Sequence, residues 1–128
     1  MLWIILSFQV AKVANSVTIT LSSSMTDTTE DSYKISSNIL TLTSSEEYII
    51  KGSCSECGIE VNKELSPTIT LSLISIDNSQ TGPFIIKKNA NVNLILEGIS
   101  TITDKETDEN QVILKELVLN LNQVLILL

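Results

Sequence analysis

The side chains best suited to binding a metal ion lie in one acidic stretch, TDKETDEN at 103–110. Its carboxylate and amide oxygens alternate along the chain, which suits calcium. Asp77 and Asn78 end an earlier apolar stretch and are expected to lie close by if successive stretches stack. The candidate calcium ligands are therefore Asp77, Asn78, Asp104 and Asp108. The alternative is a solvated charged turn, because the stretch lacks the residue order and the glycine of an EF-hand loop.

A second candidate for chemistry is the pair Cys54 and Cys57 in the glycine-flanked segment GSCSECG. A redox CxxC motif is expected in a βαβ setting, which the surrounding sequence does not suggest. A zinc site needs two further ligands, and the chain has no His and no other Cys. The remaining alternatives are a local disulfide if the chain is exported and two free thiols in a reducing compartment.

The missing residue types exclude several kinds of active site. The chain has no His, and all eight of its basic residues are Lys. A Ser-His-Asp triad, a His-ligated zinc and an arginine-dependent lyase site therefore cannot form within it. The net charge of −7 also repels phosphate backbones. These absences predict a protein that is not an enzyme and does not bind nucleic acid.

The elements that must position the remaining polar residues are short alternating stretches. In TITLSLISIDNS (68–79) the apolar residues Ile69, Leu71 and Leu73 alternate with Thr and Ser, and NVNLILEG (91–98) alternates in the same way. One constant shift along the chain superimposes Leu71 and Leu73 on Leu94 and Leu96. The same shift predicts two inward ladders, Tyr48, Leu71, Leu94, Leu117 and Ile50, Leu73, Leu96, Leu119. Shorter apolar pieces at 59–61, 84–86 and 112–114 lie between these strands.

A repeat of about 23 residues with two or three short strands predicts an all-β fold, a stacked β-solenoid whose rungs share one core. Its outward positions would form a polar array with amides and hydroxyls suited to sugar hydroxyls. The candidate carbohydrate-binding residues are Thr68, Thr70, Ser72, Asn91, Asn93 and Asn120. Solvated strand positions are polar in any sheet, which is the simpler interpretation of each one. The competing fold is an antiparallel β-sandwich, which has no reason to keep a constant interval.

The N-terminus has the features of a secretory signal peptide. An apolar run from Leu2 to Val10 leads to the small-x-small sequence Ala14-Asn15-Ser16. The run is too short to span a bilayer. We expect a signal peptide at 1–16, a β-helical domain at 17–128 and a secreted or cell-surface protein. The alternative is an N-terminal strand or capping helix, because no Lys or Arg precedes the apolar run.

The stretch SSNILTLTSSEEYIIKGSCSECGIEV (36–61) and its continuation at 68–104 carry a family resemblance. Tyr48-Ile49-Ile50-Lys51-Gly52 matches a Tyr-x-x-x-Gly pattern, followed by the turn Asp77-Asn78-Ser79 and the strand 91–96. In these features the chain resembles secreted carbohydrate-binding domain proteins of bacteria and protists. The resemblance implies a right-handed parallel β-helix like that of pectate lyases, and a non-catalytic polysaccharide-binding module with calcium. The chain departs from the pattern at Leu121 and Gln123, where the family usually has two glycines.

The last segment, LVLNLNQVLILL, is apolar and has no polar cap. An uncapped solenoid end associates with other strands, so this edge predicts self-association or a piece cut from a longer solenoid. Three functional hypotheses follow from the sequence: a polysaccharide-binding module, a structural or adhesive solenoid that binds protein or itself, and a polysaccharide lyase. The absence of Arg makes the lyase the weakest of the three.

Overall fold

The computed structural model describes residues 16–80 and 82–104, and beyond them the backbone of three strand segments at 112–113, 117–119 and 124–127. The described residues form strands and turns and include no α-helix. The strands are β1 Ser16–Leu21, β2 Thr28–Thr29, β3 Tyr33–Ser36, β4 Ile39–Leu42, β5 Glu47–Ser55, β6 Gly58–Val61, β7 Thr68–Asn78, β8 Phe84–Ile86, β9 Val92–Glu97, β10 Ser100–Asp104, β11 Val112–Ile113, β12 Leu117–Leu119 and β13 Val124–Leu127. The all-β prediction is confirmed.

Two sheets contain all of these strands. The larger has the order β1-β5-β7-β10-β12, with β9 also paired to β7 and β13 paired to β9. The smaller has the order β11-β8-β6-β4-β3-β2. Pairs β1/β5, β5/β7, β7/β9 and β7/β10 are parallel, as are β4/β6 and β6/β8. Since β4 to β9 alternate between the sheets along the chain, each parallel neighbour in this part is reached by way of the other sheet.

The parallel register places apolar side chains directly beside one another. One inward row contains Val17, Tyr48, Ile69 and Leu94, and the next contains Ile19, Ile50, Leu71 and Leu96. From Tyr48 and Ile50 onward every member of both rows is 0–1% exposed. Burying a side chain of this size stabilises the fold by roughly 1.5–3 kcal/mol. These rows and the apolar strands of the smaller sheet share one buried cluster.

The predicted constant interval between rungs is wrong. Tyr48 pairs with Ile69, and Ile69 pairs with Leu94, so the first interval is shorter than the second. Leu71 therefore lies beside Ile50 and Leu96 instead of beside Tyr48 and Leu94. The connections between these strands differ in length, so the two intervals between paired residues differ as well. Only the mean of these two intervals equals the interval seen in the sequence.

The prediction that Leu73 points inward is also wrong. Leu73 is 66% exposed and has a left-handed backbone, with φ of 53°. Between the paired residues on either side of this point the strands contribute unequal numbers of residues: Gly52 alone in β5, Leu73 and Ile74 in β7, and three residues after β9, namely Gly98, Ile99 and the first residue of β10, Ser100. We call these residues the register break. Leu73 is the extra residue of a bulge, so the inward positions of β7 change to Ile74, Ile76 and Asn78.

The smaller sheet closes the other side of the core. Leu40 pairs with Ile59, and Ile59 pairs with Phe84, all three being fully buried. The predicted apolar pieces at 59–61, 84–86 and 112–114 correspond to β6, β8 and β11. At the edge of the sheet β2, β3 and β4 form an antiparallel meander.

The strands after residue 110 do not continue the parallel stack. Residues 117–119 pair antiparallel with β10, with Leu119 opposite Ser100. The prediction that Leu117 and Leu119 extend the ladders of Leu94 and Leu96 is therefore wrong. Leu94 has Leu125 of β13 as its neighbour, again antiparallel.

Candidate functional site

The polar surface predicted from the sequence lies on the outer side of the larger sheet. In β5, β7 and β9 each inward residue is followed by one that is exposed or half-buried, because successive side chains of a strand point to opposite faces. We call these outward positions, before the register break, the outer face. Three rows cross it: a first row of Ser16, Glu47, Thr68 and Asn93, a middle row of Thr18, Ile49, Thr70 and Ile95, and a third row of Thr20, Lys51, Ser72 and Glu97.

The structure brings four of the six predicted sugar-binding residues onto this face. Thr68 and Asn93 are register partners, so their Cα atoms lie on adjacent strands roughly 4.7–4.9 Å apart. Thr70 and Ser72 follow along β7 at spacings of roughly 6.6 Å. The face thus presents hydroxyl and amide groups on a grid set by the strand geometry.

The other two candidates lie elsewhere. Asn91 is exposed in the turn before β9, and its backbone N–H donates to the carbonyl oxygen of Leu65 at 2.8 Å. It therefore lies outside the three rows, two residues before Asn93. Asn120 lies outside the described residues.

The structure adds outer-face residues that the sequence reasoning missed. Ile49 and Ile95 are half-buried and lie on either side of Thr70. Glu47 and Lys51 are exposed in β5, and Glu97 is exposed at the end of β9. Alternation around Tyr48 and Ile50 would have identified Glu47, Ile49 and Lys51 as outward residues. The incorrect constant interval did not show which residues of β7 and β9 lie beside them.

The charged residues of the outer face belong to its first and third rows, which we call the border rows. Glu47 belongs to the first row, and Lys51 and Glu97 belong to the third, separated by Ser72. On β1, β5, β7 and β9 the middle row has only Thr and Ile. A ligand placed over the middle row therefore meets uncharged groups first, with hydrogen-bonding groups along both sides.

Two of the four candidate calcium ligands, Asp77 and Asn78, lie at the end of β7. The Asp77 carboxylate accepts hydrogen bonds from the Ser55 hydroxyl at 3.0 Å and the Glu56 backbone N–H at 3.3 Å. Asn78 is buried, and its amide donates to the carbonyl oxygen of Cys57 at 2.9 Å. Asp77 and Asn78 are consecutive strand residues, so their side chains project to opposite sides of the sheet.

Asp104 is the backbone register partner of Asn78, while Asp108 lies outside the described residues. Within residues 16–80 and 82–103 no group of three or more His, Cys, Asp or Glu side chains is arranged to hold a metal ion. The calcium hypothesis, which also involves Asp108, stays a prediction.

An open pocket of about 700 Å³ lies beside this turn. It is lined by Ser37, Ile39, Glu56, Asn78, Ser79 and Gln80. The Glu56 carboxylate accepts hydrogen bonds from the backbone N–H of Ser79 at 3.1 Å and from its hydroxyl at 2.9 Å. Polar groups that line the pocket are thus hydrogen-bonded to one another.

Cys54 and Cys57 form a disulfide, with their Cα atoms 6.1 Å apart. It links the end of β5 to the start of β6, and both cysteines are buried. The Cys57 backbone N–H donates to the carbonyl oxygen of Asp77 at 3.3 Å. The crosslink therefore stands in a turn between the two sheets that is hydrogen-bonded to the end of β7.

No helix long and apolar enough to cross a membrane occurs in the part of the chain that the structure describes. Comparisons with known protein families, with curated proteins and with solved structures find no match to the chain.

Proposed function

We propose that the chain is a right-handed parallel β-helix whose outer face binds polysaccharide without catalysing a reaction. The architectural part is supported by the parallel registers in both sheets, because β5, β7 and β9 stack in one sheet while β4, β6 and β8 stack in the other. Such stacking is the property that defines a solenoid. The right-handed sense is what the family resemblance of residues 36–128 implies.

The observation that carries the binding function is the adjacency of Thr68 and Asn93 in a face that also contains Thr70 and Ser72. Hydroxyl and amide groups donate and accept hydrogen bonds, as sugar hydroxyls do. Parallel strands repeat these groups at a fixed spacing, so a polymer of similar units can be contacted at several points. Several weak contacts to one polymer raise the overall affinity.

A binding role without catalysis agrees with the chemistry present on the face. Glu47 and Glu97 are in different rows and on strands that are not direct neighbours, so they do not form a carboxylate pair on either side of one bond. The chain has neither His nor Arg. A secreted or cell-surface location is part of the proposal, supported by the apolar N-terminus and by a disulfide that an oxidising compartment maintains.

The test is retention of the full chain on cellulose, chitin, pectin and polygalacturonate gels, each with calcium and with a chelator. The double variant Thr68→Ala/Asn93→Ala should lose retention, while Thr29→Ala, an exposed hydroxyl of β2 in the other sheet, should behave like the wild type. Folding of each variant is checked by circular dichroism. A folded wild-type chain that passes through every gel would refute the proposal, and an unsaturated product absorbing in the ultraviolet would revive the lyase hypothesis.

One observation favours the second candidate, a structural or adhesive solenoid that associates with itself. Leu73 and Ile99 are the large apolar side chains most exposed in the described residues, at 66% and 54%. Both belong to the register break. An oligomer in size-exclusion chromatography that forms without sugar and dissociates on Leu73→Ser substitution would favour this function over sugar binding.

A further inference from the structure

The outer face has an internal organisation that a uniformly polar surface would lack. Its middle row places Ile49 and Ile95 on opposite sides of Thr70, and both isoleucines keep part of their side chain accessible to solvent. Thr18 continues the row on β1 beside Ile49. The branched methyl groups of Thr and Ile give this row an aliphatic surface, although it runs through the centre of a solvated face.

The two border rows are different in composition. The first row offers the hydroxyl of Thr68 and the amide of Asn93, and the third offers Ser72 between Lys51 and Glu97. Every residue of the border rows on β1, β5, β7 and β9 has a side chain that donates or accepts hydrogen bonds. An aliphatic strip with hydrogen-bonding groups on both sides is therefore the pattern presented to a ligand.

This pattern matches the chemistry of a sugar ring, which has an apolar C–H surface and a rim of hydroxyls. A ring resting its C–H surface on the strip would remove aliphatic area from water and direct its hydroxyls towards both border rows. The absence of charge from the strip itself suits a polyhydroxylated chain. A lipid surface is a poorer match, because anionic headgroups attract clusters of cations and the described face has one Lys and two Glu.

We propose that the row of Ile49, Thr70 and Ile95 is the platform on which sugar rings rest, so that the bound polymer lies across the strands. This inference depends on the proposed polysaccharide-binding function and specifies its contact residues and direction. A polymer running along one strand would meet a polar, an aliphatic and again a polar position within roughly 13 Å. A polymer running across the strands stays on the aliphatic row at each step of roughly 4.8 Å.

The test compares Ile49→Thr and Ile95→Thr with Ile99→Thr in the full chain, using the gel that retains the wild type. All three substitutions keep a β-branched side chain, which favours the strand. Ile99 is an exposed isoleucine outside the strip and is the matched control. We expect Ile49→Thr and Ile95→Thr each to weaken binding roughly fivefold to tenfold, from the lost aliphatic contact, and Ile99→Thr to leave it unchanged.

The outcomes separate this inference from the function on which it depends. Wild-type retention that falls in Thr68→Ala/Asn93→Ala but is unaffected in both strip variants would overturn the platform and leave the binding function standing. Absence of wild-type retention on every gel would overturn both. A wild-type dimer that dissociates in the strip variants would show the row to be a contact between copies and would also overturn the platform.

Discussion

The two halves of β7, before and after the register break, are built from similar residues but use opposite positions to face the core. In the first half Ile69 and Leu71 are inward, whereas in the second half Ile74 and Ile76 are inward. Leu73 continues the odd-numbered series and is nevertheless exposed. One inserted residue with a left-handed backbone reverses the alternation, because the side-chain period of a strand is two.

The comparison shows how far an apolar pattern can be extrapolated. Alternation predicts the inward side only while strand geometry continues without interruption. At the register break β5 keeps its phase with Gly52 and β7 changes phase with Leu73 and Ile74. Leu73 is predicted from the sequence to lie in the core, but it is exposed on the surface of the fold.

The largest expected effect is the difference in stability between truncating Leu71, before the change of phase, and truncating Leu73, at the change. Leu71 is fully buried between Ile50 and Leu96, so Leu71→Ala should lower the free energy of unfolding by about 4 kcal/mol through lost burial and a cavity. Leu73→Ala should cost less than about 1 kcal/mol. Urea denaturation of both variants measures the difference, and equal losses would contradict the assigned register.

The next effect concerns the glycines of the register break. A Cβ on Gly52 would lie 2.5 Å from the Leu21 carbonyl oxygen and 2.9 Å from its nitrogen, both backbone atoms of β1. At Gly98 it would meet the far end of the Leu73 side chain. Both glycines have positive φ, so each substitution is strained.

Gly52→Ala should therefore cost about 3 kcal/mol and Gly98→Ala about 1 kcal/mol, because a side chain can move aside and a paired strand cannot. Thermal unfolding followed by circular dichroism gives the ranking. A Gly98→Ala variant less stable than Gly52→Ala would show that contact with the Leu73 side chain constrains the register break more than contact with the β1 backbone does.

The smallest of these effects concerns the one polar atom in the described inward rows before the break. The Tyr48 hydroxyl lies 2.7 Å from the carbonyl oxygen of Ser32 and 2.8 Å from that of Ser44, and its single hydrogen is shared between the two acceptors. Tyr48→Phe should lower stability by about 1–2 kcal/mol, because the Ser44 carbonyl loses this donor and the Ser32 carbonyl keeps only the backbone N–H of Thr43. Chemical denaturation at pH 7 of the variant and the wild type measures this loss.

The same residue predicts a dependence on pH. Burial raises the pKa of Tyr48 above its ordinary value of about 10. The folded state then holds the proton more tightly than the unfolded state, so this contribution is complete below about pH 10 and decreases as the pH rises through the folded pKa. Tyr48→Phe should show a smaller decrease than the wild type in alkaline denaturation curves. Identical curves would indicate that the phenol ionises without opening the fold.

The candidate site was predictable in part. Thr68, Thr70, Ser72 and Asn93 could be assigned to an outward face because they alternate with apolar residues within their own strands. Ile49 and Ile95 could not be recognised as a row, since that requires knowing which residues of β5 and β9 flank Thr70. Register depends on loop lengths and core packing, and neither is encoded in a single strand.

The sequence by itself determined that this chain is built of strands, that Ile69, Leu71 and Leu94 face inward, and that Thr68, Thr70 and Asn93 face outward. Local alternation suffices for these conclusions because burial of apolar area selects one face of each strand. Only the tertiary structure decided the unequal intervals between paired strands, the exposure of Leu73 and the antiparallel strands after residue 110. These features depend on contacts between distant residues, whose combined packing determines where each strand lies beside its neighbour.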